Sequence, residues 1–210
     1  MTFAQLPFLV RPIRPDVAAE LEAVVALRSQ AYGKHGPALG RALAVPEPDD
    51  AAPDCTVLAA FSKSSGEVQG TLRIHRNGLR PLPLEASVEL PQLLRPRRLA
   101  EVTRLARREG AHPMVKLALF KAFYLFCREH QVEVMLAAGR APLDRQYEAL
   151  LFEEVFPGAG YLPMRHAGGL PHRVLMLEIA HAFERWTSAA HPLLAFMVEV
   201  EHPDILSTAA

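Results

Sequence analysis

Two stretches, Gly70–His75 (GTLRIH) and Leu99–Gly110 (LAEVTRLARREG), constrain this chain more than any others. Each has the apolar content of a core strand, yet each carries ionisable residues where such a strand is ordinarily apolar. A desolvated charge left alone costs several kcal/mol, so natural cores pair their charges. Arg73, Glu101 and Arg104 must therefore meet one another or something that binds. Charges built into the middle of a sheet are the strongest pointer to function in this sequence.

Composition narrows the class. A chain of 210 residues with 50% hydrophobic content can bury a sizeable core, and no linker-like break or internal repeat divides it, so a single domain over 1–210 is expected. A formal net charge of zero argues against a dedicated nucleic-acid binder. Cys55 and Cys127 form neither a disulfide framework nor a metal spacing, which fits a reduced, cytoplasmic setting. The apolar run Met114–Cys127 is interrupted by Lys116 and Lys121 and falls short of the roughly 20 residues of a membrane span. The apolar run near the N-terminus is too short for a signal peptide.

The periodicities read as mixed α/β. Phe8–Ile13 is expected as a strand, followed by a helix capped by Asp16, running to about Tyr32 and stopped by Gly33. Lys34–Pro53 reads as a loop with room for one helical turn. Thr56–Phe61 and Val68–Arg76 flank SKSSGE and read as a hairpin. Asn77–Arg98, with four prolines, is irregular, and Leu99–Ala106 is the next strand. Pro113–His130 is a helix apolar nearly all round, hence sandwiched. Val132–Ala137 is a strand and Pro142–Phe156 an amphipathic helix with proline in its first turn. Tyr161–Met164 and Arg173–Ile179 can pair across a turn holding Gly168 and Gly169. The tail, 181–210, mixes a helix with the apolar LLAFMVEV and packs on the domain.

Several charged residues fall in unexpected places. Val17, Leu21, Val24, Arg28 and Tyr32 share one helical face, so Arg28 sits on the apolar seam, apart from the solvated Glu20 and Glu22. Arg28 either snorkels at the helix end or presents its planar fork to a carboxylate. In Val68–His75, residues Gln69, Thr71, Arg73 and His75 share one face, which on an antiparallel strand is ordinarily the solvent face. Strict alternation in Leu99–Ala106 separates Glu101 and Thr103 from Arg104. A bulge near Val102–Thr103 would bring Glu101 and Arg104 into one site, while the plainer alternative is a structural ion pair.

The order of elements, with the arginine of ALRSQAYG, acids in PDDAAPD, G-x-x-R in GTLR and E-x-x-R in EVTR, resembles the GNAT acyltransferase fold, a central, mostly antiparallel mixed sheet flanked by helices. Within it the chain is similar to the N-acyl amino acid synthases, relatives of the acyl-homoserine-lactone autoinducer synthases; the C-terminal HPDI also fits. The motifs are short, and the resemblance rests on their joint occurrence in order along nearly the whole chain.

That resemblance implies a polar cluster of Arg28, Asp50 or Asp54, Arg73, Glu101, Thr103 and Arg104. Glu101 would act as general base on the incoming amine, directly or through water, because an α-ammonium is no nucleophile until it loses a proton. One arginine would hold the amino acid's carboxylate. Backbone amides at the bulge would stabilise the thioester oxyanion. No covalent intermediate is required, so both cysteines would be structural.

Acetyl-CoA-dependent relatives carry a glycine-rich diphosphate loop where this chain has RREGAHPMVK, with one glycine and a proline. The departure favours an acyl carrier protein thioester (acyl-ACP), whose phosphopantetheine has a single phosphate, with acyl-CoA or acetyl-CoA as other possible donors. Arg95, Arg97, Arg98, Arg107, Arg108 and Gly110 would form a basic rim for the acidic carrier protein, or simply a solvated surface. Met114, Leu117, Phe120, Phe123, Tyr124, Phe126, Phe196 and Met197 could line an acyl pocket or serve as ordinary core. The nine histidines show no ligand spacing, and no metal is expected.

The expected function is transfer of a long-chain acyl group from a carrier protein to an amino acid's α-amine. Other readings are an acyl-homoserine-lactone synthase, disfavoured because Trp186 is the only tryptophan and does not follow the first helix; an acetyl-CoA N-acetyltransferase; and a non-catalytic lipid- or partner-binding module. No nucleic-acid partner and no membrane span are expected.

Overall fold

A computed structural model describes residues 5–14, 16–199 and 201–207. The strands are β1 (Phe8–Pro12), β2 (Cys55–Ser62), β3 (Val68–Arg76), β4 (Leu99–Arg107), β5 (Val134–Gly139), β6 (Glu153–Glu154), β7 (Leu162–Met164) and β8 (Leu170–Glu178). The helices are α1 (Ala18–Gly33), α2 (Pro37–Ala42), α3 (Val115–Glu129), α4 (Leu143–Glu148) and α5 (Ile179–Ser188), with short 3-10 turns at Pro48–Ala51, Pro83–Ala86 and Arg165–Ala167. The mixed, mostly antiparallel sheet with flanking helices matches the expected class. No helix among the described residues is long and apolar enough to cross a membrane.

The chain resolves into two compact units. The first comprises Met1–Ile74, Arg104–Phe126 and Val200–Ala210; the second comprises His75–Thr103 and Cys127–Glu199.

In the first unit, β1 pairs antiparallel with β2, and β2 with β3. The hairpin expected around SKSSGE closes with Ser62 N–H donating to Glu67 O at 2.9 Å. Alternation buries Val57, Ala59 and Val68 with Ile13, Val24, Leu27 and Ala106. At Gly70, the glycine of GTLR, α3 packs tightly on β3: a Cβ there would meet Val115 Cγ1 at 2.5 Å. The HPDI segment lies along the outer edge of β1, with Ile205 bridging Val10 in parallel. Asp204 accepts the Leu6 N–H at 2.9 Å and pairs with Lys63 at 2.6 Å.

In the second unit, β4 pairs parallel with β5 in the register Leu99↔Val134 to Val102↔Ala137. β8 pairs antiparallel with β5, β6 and β7. Its core gathers Leu82, Leu84, Leu90, Leu94, Leu99, Leu136 and Val174. The irregular 77–98 connection is thus folded inward by its leucines rather than left as a surface loop. Trp186 of α5 is fully buried and donates its indole N–H to Leu150 O at 2.9 Å.

Several expectations need correction. Val17, not Asp16, stands at the N-cap of α1, without a side-chain cap. Gly33 does not end α1 in a left-handed conformation; it is the last helical residue, and Lys34 follows in right-handed geometry. The 34–53 loop contains α2 and a 3-10 turn. The Pro142–Phe156 helix stops at Glu148, because Leu151 turns left-handed (φ 63°) and releases the chain into β6. β7 pairs with Leu170–His172, while Arg173–Glu178 belongs to the β5 pairing. Glu20, read as solvated, is buried. Val200, the last residue of LLAFMVEV, lies outside the described residues.

Candidate active site

Arg73 and His75 of β3 and Glu101 and Arg104 of β4 are buried, whereas Arg76 is half-buried and Arg107 exposed; Arg73 and Arg104 belong to the first unit, His75 and Glu101 to the second. In the first unit an ion network runs from α1 through the 3-10 turn at Pro48–Ala51 to β3 and β4. Arg28 is 1% exposed, and its Nη1 donates to Asp50 Oδ1 at 2.5 Å. The same oxygen accepts Arg73 Nη1 at 3.0 Å, while Asp50 Oδ2 accepts the backbone N–H of Glu47 at 2.9 Å. Arg73 also reaches Glu47 at 3.2 Å and Asp49 at 3.5 Å. Arg104 grips Glu47 with both arms of its fork, Nε at 2.7 Å and Nη2 at 2.6 Å. Three arginines thus face three acids in this network.

The local backbone explains the convergence. The Pro48 turn folds Glu47 over Asp50, so two carboxylates leave one short segment side by side. On β4 the chain becomes left-handed at Arg104, φ 54°, a conformation that costs a bulky side chain of order 1–3 kcal/mol. Pairing with β5 is regular through Val102, so the expected distortion lies at Arg104 rather than at Val102–Thr103.

The ionisation states follow from this geometry. Burial alone would raise the Asp50 carboxyl, but the Arg28 charge and hydrogen bond, the Glu47 amide and Arg73 together hold it below the ordinary range. Glu47 is likewise opposed by burial and held down by Arg104, Arg73 and Arg28. Burial lowers the Arg28 guanidinium, with Asp50 working against the shift. These acids are locked as anions. Arg28 Nε and Nη2, however, have no hydrogen-bond partner among the described residues. One edge of a buried guanidinium is thus left open, a costly arrangement unless a ligand completes it.

In the second unit Glu101 is fully buried. Its Oε2 accepts the Leu84 N–H at 2.9 Å, and its Oε1 lies 3.7 Å from His166 Nε2. Thr103 Oγ1 and His75 Nε2 are 2.9 Å apart, both residues buried. Glu101 meets Leu84 and His166, while Arg104, three positions on along β4, grips Glu47.

The remaining candidates are placed as follows. Asp50 meets both Arg28 and Arg73; Asp54 is buried just before β2, its Oδ1 3.9 Å from Cys55 Sγ. Arg107 Nη1 donates to Ala111 O at 3.3 Å and Arg108 Nε to Val68 O at 2.9 Å, around the left-handed Gly110. Arg95 pairs with Glu89, and Arg97 with Glu178 at 3.1 Å and Glu133 at 3.5 Å. Arg98 lies 3.7 Å from Glu133. Acids thus meet Arg95, Arg97 and Arg98 of the expected basic rim. Phe120, Phe123, Tyr124, Phe126, Phe196 and Met197 are buried, whereas Met114 and Leu117 are half-buried. Burial pushes the Cys127 thiol well above its ordinary value, which makes it a poor nucleophile.

Sequence reasoning missed Glu47 and His166. The Glu47-Pro48 pair, three residues before Asp50, was a legible turn signal; His166 carried none, because its proximity to Glu101 depends on how the 77–98 connection and the β7–β8 turn pack.

No curated protein matches the chain. Among solved structures it is similar to FeeM, an N-acyl amino acid synthase from uncultured soil microbes, at 19% identity and a TM-score of 0.62, covering 90% of this chain and 97% of that one. It is similar to BjaI, a CoA-dependent acyl-homoserine lactone synthase, at 16% identity and a TM-score of 0.61, covering 97% and 94%. A GNAT-family acetyltransferase from Staphylococcus aureus Mu50 follows at 10% identity and a TM-score of 0.54, covering 82% and 99%. These likenesses establish the GNAT fold. The family model of the N-acyl amino acid synthase FeeM matches residues 23–172, well over half of the chain. The chain therefore belongs to the FeeM family of N-acyl amino acid synthases and is an N-acyltransferase.

Proposed function

We propose that this chain, acting as a single cytoplasmic acyltransferase domain, moves a long-chain acyl group from an acyl carrier protein thioester to the α-amine of an amino acid. The observation that carries the reading is Arg28, whose Nε and Nη2 form an unfilled bidentate donor edge held in place by Asp50. A carboxylate presents two acceptor oxygens at matching spacing, and every amino acid has one. Arg73 and Arg104 hold the network that orients Arg28, and Thr103 supports His75 on the neighbouring strand.

Glu101 is the general base. Two protons leave the acceptor nitrogen in each turnover: one converts the ammonium to the nucleophilic amine, and the other leaves as the amide forms. The amine attacks the thioester carbon, the carbon–sulfur bond breaks, and the departing thiolate takes one of these protons. Backbone amides near the Arg104 distortion stabilise the oxyanion.

The donor assignment rests on the start of α3. The loop offers Gly110 as its only glycine, and the Met114 N–H, a natural phosphate donor at a helix start, is taken by His112 Nδ1 at 3.2 Å. That is a poor cradle for a diphosphate and an adequate one for the single phosphate of phosphopantetheine. A CoA thioester is the second reading, favoured by the likeness to a CoA-dependent synthase.

The test is to incubate the purified protein with the twenty amino acids and, in separate reactions, long-chain acyl-ACP, long-chain acyl-CoA or acetyl-CoA, then identify products by mass spectrometry. One dominant N-acyl amino acid, formed fastest from acyl-ACP, is expected. Product from acetyl-CoA alone overturns the donor assignment, and no product from any donor overturns the reaction.

A further inference from the structure

A left-handed arginine inside a core strand does not hold itself in place. The Arg104 conformation (φ 54°) persists only where its surroundings fix it from more than one direction. From one direction Glu47 receives the Arg104 guanidinium through Nε and Nη2. From another, the carbonyl of the next residue, Leu105, accepts the Tyr32 hydroxyl at 3.2 Å. We infer that Tyr32 is a positioning residue that aims the backbone amides around Arg104 at the thioester oxygen, a role resting on the reading of those amides as the oxyanion site.

The peptide unit is planar, so a hydrogen bond to the Leu105 carbonyl fixes the whole plane between Leu105 and Ala106. With the Arg104 side chain clamped before it, the backbone on either side of the distortion is set. Such definition matters for an oxyanion site, because its donors act only if they already point where the charge develops.

Tyr32 is itself held. Its ring packs against the apolar cluster of Ile13, Val24, Leu27 and Ala106, so the position of the hydroxyl is fixed by packing as well as by its hydrogen bond. The last turn of α1 is braced by α2. Gly40 comes so close that a Cβ there would meet Gly33 Cα at 2.4 Å, and Ser29 Oγ donates to Gly40 O at 2.9 Å. The Tyr32 carbonyl accepts the Gly36 N–H at 2.9 Å, which ties the end of the helix.

The protonation state suits a donor. Burial raises the phenol above its ordinary pKa against the pull of Arg104, Arg28 and Arg73, so the hydroxyl keeps its proton. Arg28 stands four residues earlier on the same helical face, about 6 Å along the axis. One helix thereby serves both reactants: Arg28 presents its open edge to the acceptor's carboxylate, and Tyr32 sets the amides that polarise the donor.

The experiment uses the full chain, the amino acid that gives product in the mixture assay, and long-chain acyl-ACP isotopically labelled at its thioester carbonyl carbon. Tyr32→Phe keeps the packed ring and removes only the hydroxyl. It should lower kcat roughly 10-fold, leave the KM for the amino acid within about twofold, and leave the urea midpoint unchanged. Infrared spectroscopy of the bound donor reads the site directly. Amides aimed at the oxygen lower the carbonyl stretch below that of free acyl-ACP, and Tyr32→Phe should return it toward the free value. Wild-type protein that does not lower the stretch overturns the oxyanion reading, and the inference with it. A lowered stretch retained in full by Tyr32→Phe, or full kcat in that variant, overturns the inference alone. So does a loss of kcat that only follows a lower urea midpoint.

Discussion

Asp50 and Glu101 are both carboxylates removed from water, and their surroundings treat them in opposite ways. Asp50 accepts from two guanidiniums and a backbone amide, an arrangement that fixes its negative charge. Glu101 accepts the Leu84 N–H and faces the His166 imidazole at 3.7 Å. A carboxylate saturated by arginines cannot exchange a proton near neutrality, because protonation would leave those arginines uncompensated. Counting buried acids on a strand therefore does not find the base; the partners of each acid decide between scaffold and chemistry.

The sharpest way to break this contrast is to neutralise Asp50. Asp50→Asn leaves the fully buried Arg28 without its counter-charge, and denaturant unfolding should show a loss of about 3–5 kcal/mol. A loss below about 1 kcal/mol would mean that the network is solvated and that the contrast is drawn wrongly.

A peripheral acid sets the scale between these two. Glu20 accepts from Arg11 and from the side chain and backbone of Arg14. The Arg11 hydrogen bond, opposed by burial and aided by Arg14, lowers its pKa from 4.5 to about 2. A carboxyl depressed in the folded state stabilises the fold fully above its unfolded pKa, and the contribution disappears as pH falls from about 4.5 to about 2. Glu20→Gln should remove about 2 kcal/mol at pH 7 and flatten the stability profile across that window, the figure allowing for solvent screening at the exposed Arg14. An unchanged acid limb in urea unfolding at stepped pH would contradict it.

The smallest effect sharpens the reading of Arg28. Arg28→Lys keeps a positive charge for Asp50 but removes the open Nε and Nη2 edge. The KM for the amino acid should rise roughly tenfold, about 1.4 kcal/mol of binding, with kcat and stability little changed. An unchanged KM would place the carboxylate elsewhere.

Much of this arrangement is legible in the sequence because charge is conspicuous on an apolar strand. Arg28 on a helical seam and the charges of GTLR and EVTR marked burial correctly, and all four residues are buried. What the sequence hides is pairing. Arg73 and Arg104 invite pairing with Glu101 because the motifs are neighbours in the reading; Glu47, in a proline-rich loop, is the partner both arginines use. The same applies to helix limits. Pro142–Phe156 has an amphipathic pattern throughout, but the left-handed Leu151 and the pairing of Glu153–Glu154 with β8 override it. Local pattern reports burial, whereas partner choice and strand recruitment depend on tertiary neighbours far along the chain.

The central claim is that Glu101 performs proton chemistry while Asp50 holds structure. The most direct measurement compares Glu101→Gln with Asp50→Asn, reading kcat with acyl-ACP and unfolding free energy on the same preparations. The account predicts that Glu101→Gln loses at least roughly 100-fold in kcat with stability within about 1 kcal/mol, since the Gln oxygen still accepts the Leu84 N–H, whereas Asp50→Asn is the variant that loses stability. A Glu101→Gln enzyme with full kcat, or one whose loss only tracks unfolding, would contradict it.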